Sequence, residues 1–412
     1  MFEDARGSVT RKIASTTAAI LLVSGGALVS VAAPSVASAS SKAPFLVGTV
    51  QPLTGIFASA GLDIVHALKA QASILNAKGG INGRKIEILA VDDAGDPQKA
   101  ITAAQQMLST KKLSMFEPDV IFGNTQLPFA KNVLSVNICA APACGDGRQY
   151  PLSFSLNPPS ANQVPSVLAY AASIKKTKVG VIATNDAAGE AFGAYVRSDA
   201  ARAHVSVTQE EFFDPTATDI TAQLEALKAS GAQIVAAWAA GLSVATVMQG
   251  MQSIGWNAPV VGTPTVFTAP VNTIIPSAVK RQLLCMCYAV GVRTGPSVAQ
   301  YLRPLVSRVI KYGPIASMMV VALAADTLTL ADYGYTKAGM NATAKSAAAA
   351  ISRIGTTKPY PSTLFYSYRS VNPNFKGTVH SPANANLGQG FFSIATVSPL
   401  VYGTYLGRPF RY

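Results

Sequence analysis

The sequence is poor in residues that do chemistry. Its 412 residues include three histidines, at 66, 204 and 380, and four cysteines. Neither cysteine pair has the C-x2-C spacing of zinc sites, and three dispersed histidines do not make up the difference, so no metal centre is expected. There is no G-x-S-x-G, H-E-x-x-H or P-loop pattern, which removes the signatures of serine hydrolases, zinc proteases and nucleoside-triphosphate binders. Two S-x-x-K matches, Ser109 to Lys112 and Ser173 to Lys176, each sit at a helix end beside a second lysine and read as solvated surface. Charged residues make up 13%, and acids are outnumbered 20 to 33 by lysines and arginines, for a net charge of +13. The basic residues come in scattered pairs, such as Lys111 with Lys112, without a run or interleaved aromatics. That excess describes a dispersed surface and not a nucleic-acid footprint. No enzyme activity, no cofactor and no nucleic-acid partner is expected.

Long apolar runs are lacking after the N-terminus. There, Arg11 and Lys12 precede "IASTTAAILLVSGGALVSVAA". The run ends in "SVASAS", whose Ala37, Ser38 and Ala39 give the small-x-small pattern of a signal peptidase site. Residues 1–39 are read as a signal peptide of an exported protein, with an uncleaved membrane anchor as the alternative. No cysteine follows the run, so a lipid anchor is not indicated. Later, "IASMMVVALAADTLTL" is broken by Asp326 and reads as a buried helix.

What the chain does have is apolar material and punctuation: 49% hydrophobic residues, 32 glycines and 25 prolines. Its length exceeds the usual single-core limit, so two domains are expected. "FLVGTVQPL" reads as a strand, followed by a helix with Val65, Leu68, Ala72 and Leu75 at helical spacing. In "NAKGGINGRKIEILAVDDAGDPQKA", Gly79 and Gly80 cap that helix, Asn82 and Gly83 form a tight turn, and "KIEILAV" is a strand. Asp96 then caps a helix that has Pro97 at its first position. "DVIFGN" is expected as a strand, Leu127 to Leu134 as a helix and "VNICAA" as a short strand. The proline-rich "SLNPPSANQVPS" looks like a crossing segment. A second series follows, with strands "KVGVIAT", "VSVTQEEFF", "AQIVAAWA" and "APVVGT" alternating with helices. One of these helices is capped by Asp219 and closed by Gly231. The fold expected is α/β, with two parallel sheets whose strand-end loops face one another across a cleft. Cys139 and Cys144, five apart in "CAAPACGDG", are candidates for a disulfide. Cys285 and Cys287 lie on one strand face at the limit of disulfide reach and are left as possible free thiols.

The segments "GTVQPLTG", "ILNAKGGINGRKIEILAVDDAGDPQKA", "DVIFGN" and "DITAQLEALKASGAQIV" resemble the type I solute-binding proteins of ABC transporters, specifically the leucine/isoleucine/valine group. The resemblance runs from about Phe45 to Leu330. It implies two Rossmann-like lobes joined by three hinge crossings: 40–160 plus 293–360 as the first lobe, 161–292 plus 375–412 as the second, and 361–374 as a crossing. Chain crossings are expected near Asn157 to Pro165, Gly291 to Pro296 and Lys358 to Phe375. It also implies a monomer that closes on a small solute and delivers it to a membrane permease. Carried over by position, the family's contacts fall on Ala60, on Asn124, Thr125 and Gln126, on Ala141 and Ala143, and on Ala188 and Ala240. Thr54, Asn185, Thr263, Thr265 and Trp238 complete the expected cleft, with Leu127 and Phe129 as apolar lining. The acid that pairs with an amino-acid ammonium falls at about Pro264. Aromatics and a carboxylate are thus replaced by small residues, which points to a bulkier apolar or aromatic carboxylate as ligand. The alternatives are a branched-chain amino acid held by Asp186 or Glu190, or a ligand-sensing receptor module.

Overall fold

The computed structural model describes residues 42–139, 141–157, 160–262, 273–288, 296–353 and four short C-terminal strands. The expected signal peptide, Thr263, Thr265 and the 361–374 crossing lie outside the described residues. In chain order the first series is β1 (Phe45–Gln51), α1 (Ala58–Asn76), β2 (Ile86–Asp92), α2 (Pro97–Thr110), β3 (Met115–Glu117), α3 (Gly123–Gln126), β4 (Leu134–Asn137) and β5 (Ser153–Ser155). These five strands form one parallel sheet in the order β2-β1-β3-β4-β5. The second series is α4 (Ser160–Ser173), β6 (Lys178–Thr184), α5 (Ala187–Asp199), β7 (Ser206–Phe213), α6 (Thr221–Ala229), β8 (Ile234–Trp238), α7 (Ser243–Ser253), β9 (Val260–Gly262), α8 (Ser277–Lys280) and β10 (Leu283–Tyr288). β10-β9-β8-β6-β7 are parallel, and β11 (Phe392–Thr396) and β14 (Pro409–Phe410) extend that sheet antiparallel at the β10 edge. β12 (Leu400–Val401) and β13 (Thr404–Tyr405) pair with each other.

Three further helices, α9 (Pro296–Val309), α10 (Met318–Ala338) and α11 (Ala344–Ser352), return to the first sheet. Leu305, Val309, Val321, Leu328 and Ile351 share one buried cluster with Phe45, Val47, Leu68, Leu134 and Phe154. A buried carboxylate locks this return. Asp63 on α1 accepts the backbone N–H of Ala316 at 3.1 Å and of Ser317 at 2.6 Å, just ahead of α10.

Each punctuation signal between α1 and α2 has a structural use. The Gly80 N–H reaches back to Leu75 O at 3.0 Å, and Gly80 (φ +71°) sits in the left-handed region that glycine enters without strain. Asn82 (φ 52°) and Gly83 (φ 73°) make the turn, and the Asn82 amide donates to Tyr335 O at 3.0 Å and Gly339 O at 2.9 Å, the end of α10. Arg84 donates to Ala43 O, Pro44 O and Ser114 Oγ. Asp96 caps α2 through Gln98 N at 2.8 Å and Lys99 N at 2.9 Å, with Pro97 at the first helical position.

The structure corrects four local readings. "DVIFGN" is not a strand: the strand is Met115–Glu117, and Asp119 turns the chain by accepting the N–H groups of Ile121 and Phe122. Its side chain competes with the sheet for those donors. The helix expected from Leu127 to Leu134 is only α3 plus a 3-10 turn at Leu127–Phe129, because Pro128 offers no N–H and the chain turns again at Ala130. The segment read as crossing up to Pro165 is already helix α4 from Ser160. Val164, Val167, Leu168 and Ala171 are buried at helical spacing, and that packing outweighs Pro165. Cys285 is disulfide-bonded and not a free thiol.

Candidate functional site

In both sheets the strand order reverses where the first strand meets the third, at β1/β3 in the first and β6/β8 in the second. Crevices at the carboxyl ends of such switch points are where open parallel sheets bind ligands. The loops that leave those four strands are therefore the site's raw material, and they meet.

Phe57, after β1, is 1% exposed. Its ring makes an edge contact with Phe122, after β3, at 6.4 Å between centroids. On its other flank lies Gly241, after β8. A Cβ at Gly241 would stand 2.9 Å from Phe57 Cδ1 and 3.0 Å from Ile56 O, and Gly241 has φ +57°. Only glycine fits that approach without displacing something. A second meeting point is the loop closed by the Cys139–Cys144 disulfide. Cys139, Ala141 and Cys144 share a buried cluster with Leu127 and, from the second series, with Ala188, Phe192 and Trp238.

The polar groups behind the first-sheet loops hold one another in place. Asp92 accepts Leu53 N at 2.8 Å, Thr54 N at 3.2 Å, Ala94 N at 2.8 Å and Thr54 Oγ1 at 2.8 Å. Burial pushes its carboxyl up, but those four hydrogen bonds outweigh it and hold the group below the usual range. Gln51 bridges Pro118 O at 2.9 Å and Val120 N at 3.3 Å. Asp93 and Asp119 are both buried, and burial is the largest cause that raises each carboxyl; the neighbouring Asp93 charge raises Asp119 further, and the Asp92 and Asp96 charges do the same for Asp93.

The residues expected from sequence are placed as follows. Thr54 is exposed, with its hydroxyl committed to Asp92. Ala60 is half-buried in the first turn of α1. Asn124 is half-buried in α3, and Thr125 beside it donates its hydroxyl to Phe122 O at 2.7 Å. Gln126 is fully buried and holds Asp119 N at 2.8 Å and Ala100 O at 3.3 Å, which makes it part of the loop's scaffold. Ala141 is buried at the start of a 3-10 turn, and Ala143 is half-buried within it. Asn185 is exposed, its N–H donating to Phe213 O at 2.9 Å. Ala188 is buried at the second position of α5. Trp238 closes β8 with its ring 5.3 Å from that of Phe192. Ala240 is half-buried, and Ser243 Oγ donates to its carbonyl at 2.6 Å. Phe129 is exposed, whereas Leu127 is buried.

Neither candidate acid is placed as a ready ammonium partner. Asp186 caps α5 through Ala188 N at 2.9 Å and Gly189 N at 3.0 Å, and its other oxygen accepts Thr184 Oγ1 at 2.6 Å. Glu190 is exposed in the first turn of the same helix. Sequence reasoning missed Phe57, Phe122 and Gly241. The one available signal was a glycine three residues past the end of the buried strand "IVAAW".

Two parallel sheets whose switch-point loops meet face to face define a two-lobed α/β binding module. The chain belongs to the periplasmic binding protein family, whose model matches residues 44–369. The fold is similar to that of a periplasmic binding protein type 1 from Bordetella pertussis (TM-score 0.74, 20% identity, 89% of this chain and 100% of that one). It is also similar to a fatty acid ABC transporter substrate-binding protein from Thermomonospora curvata (TM-score 0.73, 15% identity, 90% and 93%). At those identities the likeness is one of fold. In sequence, the Leu/Ile/Val-binding protein homolog 2 of Brucella abortus is 39% identical over 69 residues, 17% of this chain and 19% of that protein. The chain thus matches about a fifth of that relative's length.

Proposed function

We propose that this chain is the extracytoplasmic solute-binding component of an ABC importer. It would capture a small organic solute between its lobes and present it to a membrane permease. The observation that carries the reading is the meeting of Phe57 with Gly241 at the switch points of the two sheets. A solute that contacts both lobes favours the closed arrangement by its differential affinity. In this reading the lobes are 40–160 plus 293–360 and 161–292 plus 375–412, the protein works as a monomer, and residues 1–39 direct export.

The ligand we propose is a bulkier apolar or aromatic carboxylate. Three features support it: alanines at 60, 188 and 240, the apolar cluster around Trp238, and an Asp186 already spent as a helix cap. A desolvated ammonium without a carboxylate partner costs several kcal/mol. Asn124, Thr125 and the backbone around Ala141 and Ala143 would orient the carboxylate. A thermal-shift screen of the mature chain against branched-chain amino acids, aromatic acids and fatty acids tests this. At about a hundred times its dissociation constant a ligand adds roughly 2.7 kcal/mol, a rise of several degrees. Response to leucine or valine alone refutes the bulky-ligand reading; response to none of the three classes counts against solute capture of this kind, and a receptor or kinase partner in place of a permease would mark a ligand-sensing module instead.

A further inference from the structure

The basic residues are scattered along the chain, but the fold gathers many of them at one end of the first lobe. Each of the five strands of the first sheet has a lysine or arginine within the five residues ahead of it. Lys42 precedes β1, Lys85 β2, Lys111 and Lys112 β3, Lys131 β4 and Arg148 β5, and all six are exposed. Because the strands are parallel, these approaches lie side by side along one end of the sheet, a row of about 20 Å at ~4.8 Å per strand. At the carboxyl end of the same sheet the charge is reversed, with Asp92, Asp93, Asp96, Glu117 and Asp119 beside the switch-point loops. The first lobe thus has a basic pole turned away from the cleft.

Ordinary folding requirements do not produce this pole. Neither α1 nor α2 has a base in its last turn, so the charges lie in the loops beyond the helix ends that bases commonly offset. Neither ion pair among the described residues involves any of the six. The acids at this end are Glu87, Asp146 and Asp332, and Lys78, Arg84 and Lys337 match them in number, which leaves the six in excess. Like charges within one or two screening lengths repel one another and weaken the fold. The second sheet is built differently: no base occurs in the five residues ahead of β8 or of β9, and Arg202, ahead of β7, is paired with Asp199.

We propose that the basic pole of the first lobe is a docking surface for an anionic lipid membrane. Charge complementarity is one argument, since each lysine or arginine brought to an anionic lipid surface adds a favourable interaction. The entry of the chain is the other. Lys42 Nζ donates to Asn82 O at 3.1 Å, so residues 1–41, the segment read as an export signal, join the fold at this pole. Whatever brings that segment to a membrane brings the pole with it. Docked this way, the lobe turns its switch-point loops away from the lipid and leaves them open to solute. The inference rests on the extracytoplasmic reading and is independent of which solute the cleft takes.

The test is co-sedimentation of the whole mature chain with phosphatidylcholine vesicles, with and without phosphatidylglycerol, and with two variants of equal charge change. One carries Lys85→Gln, Lys111→Gln, Lys112→Gln and Lys131→Gln at the pole. The other carries Lys99→Gln, Lys178→Gln, Arg281→Gln and Lys311→Gln, all exposed and away from it. Unchanged urea midpoints show that both variants fold. The unmodified chain and the second variant are expected to bind the vesicles that contain phosphatidylglycerol, the pole variant about ten-fold or more weakly, and binding should fade towards about 0.5 M salt. The proposal is overturned if the unmodified chain does not bind those vesicles at low salt, if it binds pure phosphatidylcholine as well, or if the two variants lose affinity equally. Pole-dependent binding of soluble polyglutamate without binding to vesicles also overturns it, and assigns the pole to an acidic polymer. No solute enters the assay, so its failure leaves capture between the lobes untouched.

Discussion

Glu117 ends β3 inside the protein, fully buried. Thr327 on α10 donates to one carboxyl oxygen at 2.7 Å, and the other oxygen has no partner. Burial pushes its pKa from 4.5 up to about 8, against a smaller downward pull from the Thr327 hydrogen bond. The folded protein therefore holds a proton at neutral pH that the unfolded chain has released. The sign follows directly: the folded state binds more protons, so stability is full below about pH 4.5 and falls as pH rises towards 8. Between pH 5 and pH 8 the loss from this one group is about 3 kcal/mol at most, each pH unit of linkage being worth ~1.4 kcal/mol. Glu117→Gln keeps the shape and an acceptor for Thr327 but has no proton to take up. Urea unfolding at pH 5 and pH 8 gives the comparison. The unmodified protein should lose more stability over that interval than the variant, by about 3 kcal/mol. Asp63, Asp93 and Asp119 titrate in both proteins and cancel in the difference. Parallel pH profiles for the two would show that Glu117 is ionised in the folded state and that the reasoning fails.

Two smaller perturbations test the local geometry. Asp96→Ala should lower the urea midpoint by removing the acceptor for Gln98 N and Lys99 N, and Asp96→Asn should restore most of it in the same unfolding assay. Gly241→Val puts a branched side chain at φ +57° against Phe57. With any solute that scores in the thermal-shift screen, small-angle scattering should show compaction of the unmodified chain and none of the variant; equal compaction would mean that Gly241 does not touch Phe57 in the closed state.

How much of this was legible in the sequence depends on the range of the interactions involved. Asp96 with Pro97, and Gly80 ahead of Asn82 and Gly83, were readable because their partners lie within a few residues. The reading failed at Asp119, where apolar Val120, Ile121 and Phe122 suggest a strand but a buried carboxylate captures the N–H groups of Ile121 and Phe122 and Gln51 takes that of Val120. It failed again at Pro165, where packing overrode a local signal. In the site, resemblance located the loops but not the use of each side chain. Gln126 looked like a polar ligand contact, yet its partners are Asp119 and Ala100. Thr54 is held by Asp92, which sits on a different strand. Phe57 and Gly241 lie 184 positions apart in sequence, and no local pattern announces their contact.

The route of the chain through the first core also sets an order of events. That core joins Phe45 and Leu68 to Leu305, Leu328 and Ile351, while the five parallel strands of the second sheet come from one uninterrupted stretch between Lys178 and Tyr288. During synthesis the first-made sheet thus waits, its apolar face unclosed, until the five parallel strands of the second have been made. The later-numbered lobe can assemble on short-range contacts, and the earlier one must close over a long loop, which is the slower kind of step. A chain built this way cannot close its first core until Leu305, Leu328 and Ile351 have been made, and until then that lobe stays open to other contacts.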